Sequence, residues 1–142
     1  MKMSRELKFR GWIKDEKKMR NIERLWFPMQ PFPMSSIILD QSRMFGADEV
    51  EIMEFTGLKD KNEKEIYEGD IVKGYIPEMA NEPERKGFVK WGSYGWVIDF
   101  KLPKYESGIG IVGFCSFHNY EAIGNIYENP ELLGVDRDEK SM

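Results

Sequence analysis

The chain has 142 residues, room for one domain or two very small ones, and 21 Lys and Arg stand against 25 Asp and Glu for a formal charge of −4. One His and one Cys exclude the usual zinc sites and any disulfide within the chain. No apolar run approaches the ~20 residues of a membrane helix, and MKMSRELKFRGW lacks the apolar core of a secretory signal, so a soluble protein of a reducing compartment is expected.

Leu7 to Ile13 alternates with period two. Leu7, Phe9 and Ile13 point one way, and Lys8, Arg10 and Trp12 the other, which predicts a half-buried strand. Asp15-Glu16-Lys17-Lys18 is a polar turn. Met19 to Phe27 fits a helix or a strand, and the hairpin context favours a strand. Pro28, Pro31 and Pro33 then break regular structure. Ser35 to Leu39 is a short apolar strand, and Asp40 to Asp48 a connection with room for a helical turn.

Glu49 to Thr56 alternates again, with Val50 and Ile52 opposite Met53 and Phe55. Thr56 to Asp70 is polar and reads as one long loop. Ile71-Val72 opens a strand that reaches about Ile76. Pro77 to Lys86 is an acidic excursion. Gly87–Trp91 and Trp96–Phe100 are strands joined by a four-residue loop, Gly92-Ser93-Tyr94-Gly95. Ile109 to Phe117 and Glu121 to Tyr127 are the last strands, and Asn129-Pro130-Glu131-Leu132-Leu133 starts one or two helical turns. Eight or nine short strands at roughly ten-residue spacing predict a mainly β fold, a small antiparallel barrel or sandwich with little helix. One domain over 1–135 is expected, with a division into two small subdomains near 56–66 as the variant, and 136–142 is a polar tail.

Charge is polarised. Residues 1–30 hold nine basic and four acidic groups, hence +5; the other 112 hold 12 and 21, hence −9. Lys8, Arg10 and Trp12 on one strand face are the kind of arrangement that binds nucleic acid, although net acidity opposes a long phosphate footprint. Solvation of a hairpin is the plainer reading of that charge.

Four further patterns contain residues of the kinds that chemistry requires. Gly108-Ile109-Gly110-Ile111-Val112-Gly113 matches the dinucleotide fingerprint, but it precedes a strand where a helix is required, so a bent Gly-rich strand is expected. Cys115 and His118 are an odd number of residues apart, and on a strand they diverge. Asp60-Lys61-Asn62-Glu63-Lys64-Glu65 begins like a calcium loop but has Lys64, Glu65 and Ile71 at positions that need a ligand, Gly and Glu. Asp70 with Asp99-Phe100-Lys101 loosely fits a metal-dependent nuclease, yet acid-x-basic triplets recur along a chain that is 32% charged.

Four segments carry a resemblance. They are Lys8-Phe9-Arg10-Gly11-Trp12, the run from Phe55 to Val72, the aromatic hairpin around Trp91 and Trp96, and Ile123 to Leu133. Together they resemble the YopX family of phage and prophage proteins. The resemblance implies a small β-rich protein in which Gly69-Asp70-Ile71-Val72 leads into an SH3-like barrel, and it implies no activity. Gly11 stands where the family has a small residue such as Ala, which would kink the first strand. Glu63 follows Asn62 where the family has Gly, which predicts a longer or looser loop.

Within these motifs Gly57 and Gly69 read as left-handed positions, Asp70 as the acceptor of an Asx-type turn, and Tyr67 and Tyr127 as covers of the barrel mouth. A binding face shared by Asp60, Glu68 and Asp70 is the functional counterpart. The expected function is that of a non-enzymatic phage or prophage accessory module that binds a host or phage macromolecule, protein or nucleic acid, in the cytoplasm of the bacterial host. A nucleic-acid-binding barrel that uses the basic N-terminal region is the alternative, and a metal-dependent nuclease ranks behind both. No catalytic residue, metal or cofactor is expected, nor any membrane association. Lys8, Arg10, Trp12, Asp60, Glu68 and Asp70 form the candidate binding surface, and exposed strand edges favour self-association.

Overall fold

The structure is a computed structural model that describes residues 6–26, 36–39, 43–76, 84–93, 95–100, 111–114 and 117–133. The described residues form eleven strands and no α-helix. Two compact units divide the chain, Met1–Phe55 and Thr56–Met142.

In the first unit β1 (Phe9–Ile13), β2 (Lys18–Trp26), β3 (Ser36–Leu39), β4 (Arg43–Gly46) and β5 (Val50–Lys59) form an antiparallel sheet in the order β4-β3-β2-β1-β5. The period-two segments are strands as expected, and β1 pairs with β5 as well as with β2: Arg10 faces Asn21 on one side and Met53 on the other. The connection foreseen over Asp40–Asp48 is instead a strand, β4, followed by a 3-10 turn at Ala47–Glu49. Pairing with β3 supplies hydrogen bonds that no local pattern announces. Ile13 and Val50 are the buried centre of this unit's cluster, with Ile22, Leu25 and Phe45 packed around them.

Gly11 does not kink β1. The ladders on both sides run through it without a break, and its missing side chain leaves room for Val50, whose Cγ1 would lie 2.5 Å from a Cβ there.

In the second unit β6 (Glu65–Tyr67) lies beside the continuation of β5, and β7 (Asp70–Tyr75), β8 (Arg85–Gly92), β9 (Gly95–Asp99), β10 (Ile111–Gly113) and β11 (His118–Asn125) form a sheet. The order is β10-β9-β8-β7-β11, an antiparallel meander with β11 returned beside β7. Val72, Ile76, Val89, Ile98, Phe100, Phe117 and Ala122 from the meander and its return join Ile66 in one buried cluster.

Four sequence expectations change here. Thr56–Asp70 is not one loop: β5 runs on to Lys59 and β6 occupies Glu65–Tyr67, because Ile66 is fully buried and its carbonyl accepts the Thr56 hydroxyl at 2.7 Å. The β8–β9 ladder reaches Gly92 opposite Gly95, so the connection is shorter than four residues; Gly95, with φ +133°, takes a backbone that favours glycine. The strand foreseen to Phe117 stops at Gly113. Phe117 donates its N–H to the Phe114 carbonyl at 3.1 Å, and its ring turns inward against Phe100 and Tyr120. The helical turns foreseen after Asn129 are a 3-10 turn, Pro130–Leu133. The first seven residues of the Pro77–Lys86 excursion, Cys115, Lys101, Gly108 and Gly110 lie outside the described residues.

Candidate functional site

The basic N-terminal trio shares a face, but it is half-buried. The Phe55 N–H donates to the Lys8 carbonyl at 2.8 Å, Arg10 pairs opposite Met53, and both Met53 and Phe55 are buried. Lys8 Nζ sits 4.8 Å from the centre of the Phe55 ring and 3.6 Å from Glu6. The aliphatic stems therefore cover apolar surface, and the charge of Lys8 is held by a ring and a carboxylate. Trp12 is half-buried too, opposite Met19 and Glu51.

Asp60 is 4% exposed and serves the backbone. Its Oδ1 accepts the N–H groups of Asn62 and Lys64 at 2.8 and 2.9 Å, and its Oδ2 accepts that of Ala122 on β11 at 2.8 Å. Burial alone pushes its pKa up. The three donors, with the charge of Lys64, outweigh this and hold it below the usual carboxylate value of 3.8.

The loop expected to be loose is tight. Asp60 donates to the Lys64 carbonyl and accepts from the Glu63 N–H, both at 2.9 Å, while Glu63 takes the left-handed φ of +68° that Gly would adopt without strain. The Asp60 carboxylate closes the turn that the absent Gly would have eased. Beside it lies a shallow dent of about 200 Å3 lined by Lys59, Asp60, Lys61, Asn119 and Tyr120. Burial and then the Asp60 charge push the Tyr120 hydroxyl pKa upward.

Asp70 is equally buried, and its Oδ2 accepts the N–H of Tyr67, three residues before it, at 2.8 Å; it serves a turn as expected, but from the turn's far end and not as an Asx-type acceptor, which precedes its donor. Glu68 is half-buried in the turn between them. Opposite Asp70 in the ladder stands Asn125, a residue that sequence reasoning missed. Its Oδ1 accepts the N–H groups of Tyr127 and Glu128 at 3.0 and 2.8 Å, and its Nδ2 donates to Glu128 Oε1 at 2.8 Å. Asn129 closes the same turn by accepting the Asn125 N–H. The pair of asparagines four apart before Pro130 was the available signal. The Ile126 N–H then reaches the Gly69 carbonyl at 2.9 Å, so the middle and end motifs meet.

Asp60 and Asp70 are thus spent on turns, and a partner reaches them only by opening those turns. Asp99, the remaining acid of the nuclease pattern, holds Lys90 at 2.9 Å. His118 is exposed on β11. The described residues contain no group of three His, Cys, Asp or Glu placed to hold a metal ion.

The second unit's sheet has a second face, opposite its core. Strand alternation puts Lys73 and Tyr75 of β7, Lys86, Phe88 and Lys90 of β8, and Val97 of β9 on it. Lys73 stands directly opposite Lys86 on one side and Glu121 on the other. Tyr75 is 41% exposed and Lys86 is exposed, whereas Ile71 at one end of this face is fully buried. Its acids, Asp99 and Glu121, form ion pairs with Lys90 and Lys61 at 2.9 and 3.8 Å. Among the described residues neither Lys73 nor Lys86 has a carboxylate within ion-pair distance.

The family model described as YopX protein matches residues 8–134, which take in nearly all of these strands and both turn motifs. The chain belongs to the YopX family. Among solved structures it is similar to protein EF1440 from Enterococcus faecalis, with 28% identity and a TM-score of 0.59 over 92% of this chain and 99% of that one. It is also similar to protein yopX from Bacillus subtilis, with 18% identity and a TM-score of 0.55 over 88% and 96%, a likeness of fold alone. No curated protein matches. No helix among the described residues of this YopX family member is long and apolar enough to cross a membrane.

Proposed function

We propose that this YopX family chain is a non-enzymatic binding module of phage or prophage origin that works in the bacterial cytoplasm and takes a macromolecular partner on the open face of its second sheet. The observation that carries this reading is the opposition of Lys73 and Lys86 beside an exposed Tyr75. Like charges directly opposite one another destabilise a sheet; Glu121, opposite Lys73 on its other side and shared with Lys61, offsets part of that cost, and an anionic partner relieves the rest. The use of Asp60 and Asp70 as backbone acceptors supports the non-enzymatic part, since these are the acids a catalytic site would draw on. The meander with its returned strand supports reading the second unit as the SH3-like portion.

The test is capture from infected host cells on the immobilised protein and on Lys73→Glu/Lys86→Glu. A partner retained by the parent and lost from the variant, with circular dichroism unchanged, is expected; identical capture by both overturns the assignment of the face. Cleavage of a nucleic-acid pool in Mg2+ that Asp99→Ala abolishes would overturn the non-enzymatic part.

A further inference from the structure

We propose that the partner of this face is single-stranded nucleic acid, with Lys73 and Lys86 taking phosphate and Tyr75 stacking on a base. This rests on the binding-module reading and names its ligand. The residues from Thr56 onward hold 11 basic and 16 acidic groups, so the unit as a whole repels polyanions. Against that background the two lysines form a local cationic pair whose Cβ atoms lie about 5 Å apart, close enough for both ammonium groups to reach one phosphate.

Tyr75 follows Lys73 two residues along β7, on the same face and about 6.6 Å away. That places a ring beside the phosphate site at a span comparable to one extended nucleotide. Phe88 and Val97 continue the face across β8 and β9, half-buried, as an apolar floor under neighbouring bases. Aromatic rings beside cations on an open sheet fit unstacked bases, whose faces are available. A duplex hides its base faces from such a ring. Lys90 and Lys61 hold Asp99 and Glu121 in ion pairs, which lessens the repulsion those acids would exert on phosphate.

The experiment is fluorescence anisotropy of the full chain with a labelled oligo(dT) of about 12 nucleotides, a length within the usual range for one small β-module, titrated from about 50 to 200 mM salt. Binding that weakens steadily with salt is expected. Lys73→Glu/Lys86→Glu, and the milder Lys73→Gln/Lys86→Gln, are expected to weaken it roughly tenfold or more and to flatten the logarithmic salt slope by about 1.4. Tyr75→Ala is expected to weaken it roughly tenfold with the slope kept. Lys17→Glu/Lys18→Glu, on the exposed first turn, is expected to change neither.

No binding at the lowest salt overturns the inference. So does binding indifferent to the Lys73 and Lys86 variants, or equally sensitive to those at Lys17 and Lys18. If poly-glutamate competes as well as the oligonucleotide, the ligand is an acidic protein; the inference then falls while the binding-module reading stands. If cellular capture is also indifferent to Lys73 and Lys86, both fall.

Discussion

The two units are both antiparallel sheets, yet they are held in different ways. Among the described residues the first has a cluster of two buried side chains, Ile13 and Val50, beside the buried Met53 and Phe55, with charged contacts on its surface: Glu16 between Arg20 and Arg43, both at 3.0 Å, and Lys14 on Glu51 at 3.3 Å. Among its described residues the second buries eight in one cluster. The charge differs as well, ten basic against nine acidic groups up to Phe55 and 11 against 16 after it. Exposed ion pairs contribute little, whereas buried apolar surface contributes in proportion to its area, so resistance to unfolding should reside in the second unit. The contrast also separates the charge of a unit from the charge of its exposed faces. The more basic unit packs the stems of its candidate cations against its own apolar residues, and the acidic unit carries the open cationic face.

The asymmetry can be broken first at the core. Ile98→Ala in the second cluster is expected to lower stability by about 2–5 kcal/mol, read as a shift of the urea midpoint. Ile13→Ala in the thinner first cluster is expected to cost less, because a small cluster collapses more readily around the lost atoms. Equal costs would show that the units do not differ as described.

Asp60 sharpens the contrast next, since its three hydrogen bonds lie within the second unit. Asp60→Ala leaves the Asn62, Lys64 and Ala122 donors without their acceptor and is expected to cost about 3 kcal/mol. Asp60→Asn keeps one acceptor oxygen and should fall between. The pH dependence has a definite sign: the folded pKa lies below the unfolded one, so Asp60 contributes its full stabilisation above the ordinary value of 3.8 and loses it as pH falls through the depressed value. Urea midpoints between neutral and strongly acidic pH should therefore drop less in Asp60→Asn than in the parent.

Smaller effects follow. Glu63→Gly relieves a left-handed non-glycine residue and is expected to raise stability by about 1 kcal/mol, seen as a higher melting temperature. Arg43→Ala removes an exposed contact to Glu16 and should leave the midpoint unchanged within error. A clear loss there would mean that the ion pairs of the first unit hold more than its geometry suggests.

Much of this was legible locally. Period two in Leu7–Ile13 and Glu49–Thr56 marks β1 and β5 because alternation across a pleat is a property of the strand itself. Asp70 reads as a turn acceptor from its place after Gly69. The candidate surface was only half legible: Lys8, Arg10 and Trp12 do share a face, but the buried Met53 and Phe55 that neighbour it come from a strand forty residues on.

By itself, then, the sequence determined the β class, the alternation of the main strands and the family, since these follow from short-range patterns and motifs. Only the tertiary structure decided that Glu65–Tyr67 is a strand, that Asp60 fastens its turn to Ala122 across 62 residues, and that Lys73 faces Lys86. Each of those depends on which strands pair and in what register. A shift of one residue sends every side chain of a strand to the other face, so the choice belongs to the sheet as a whole.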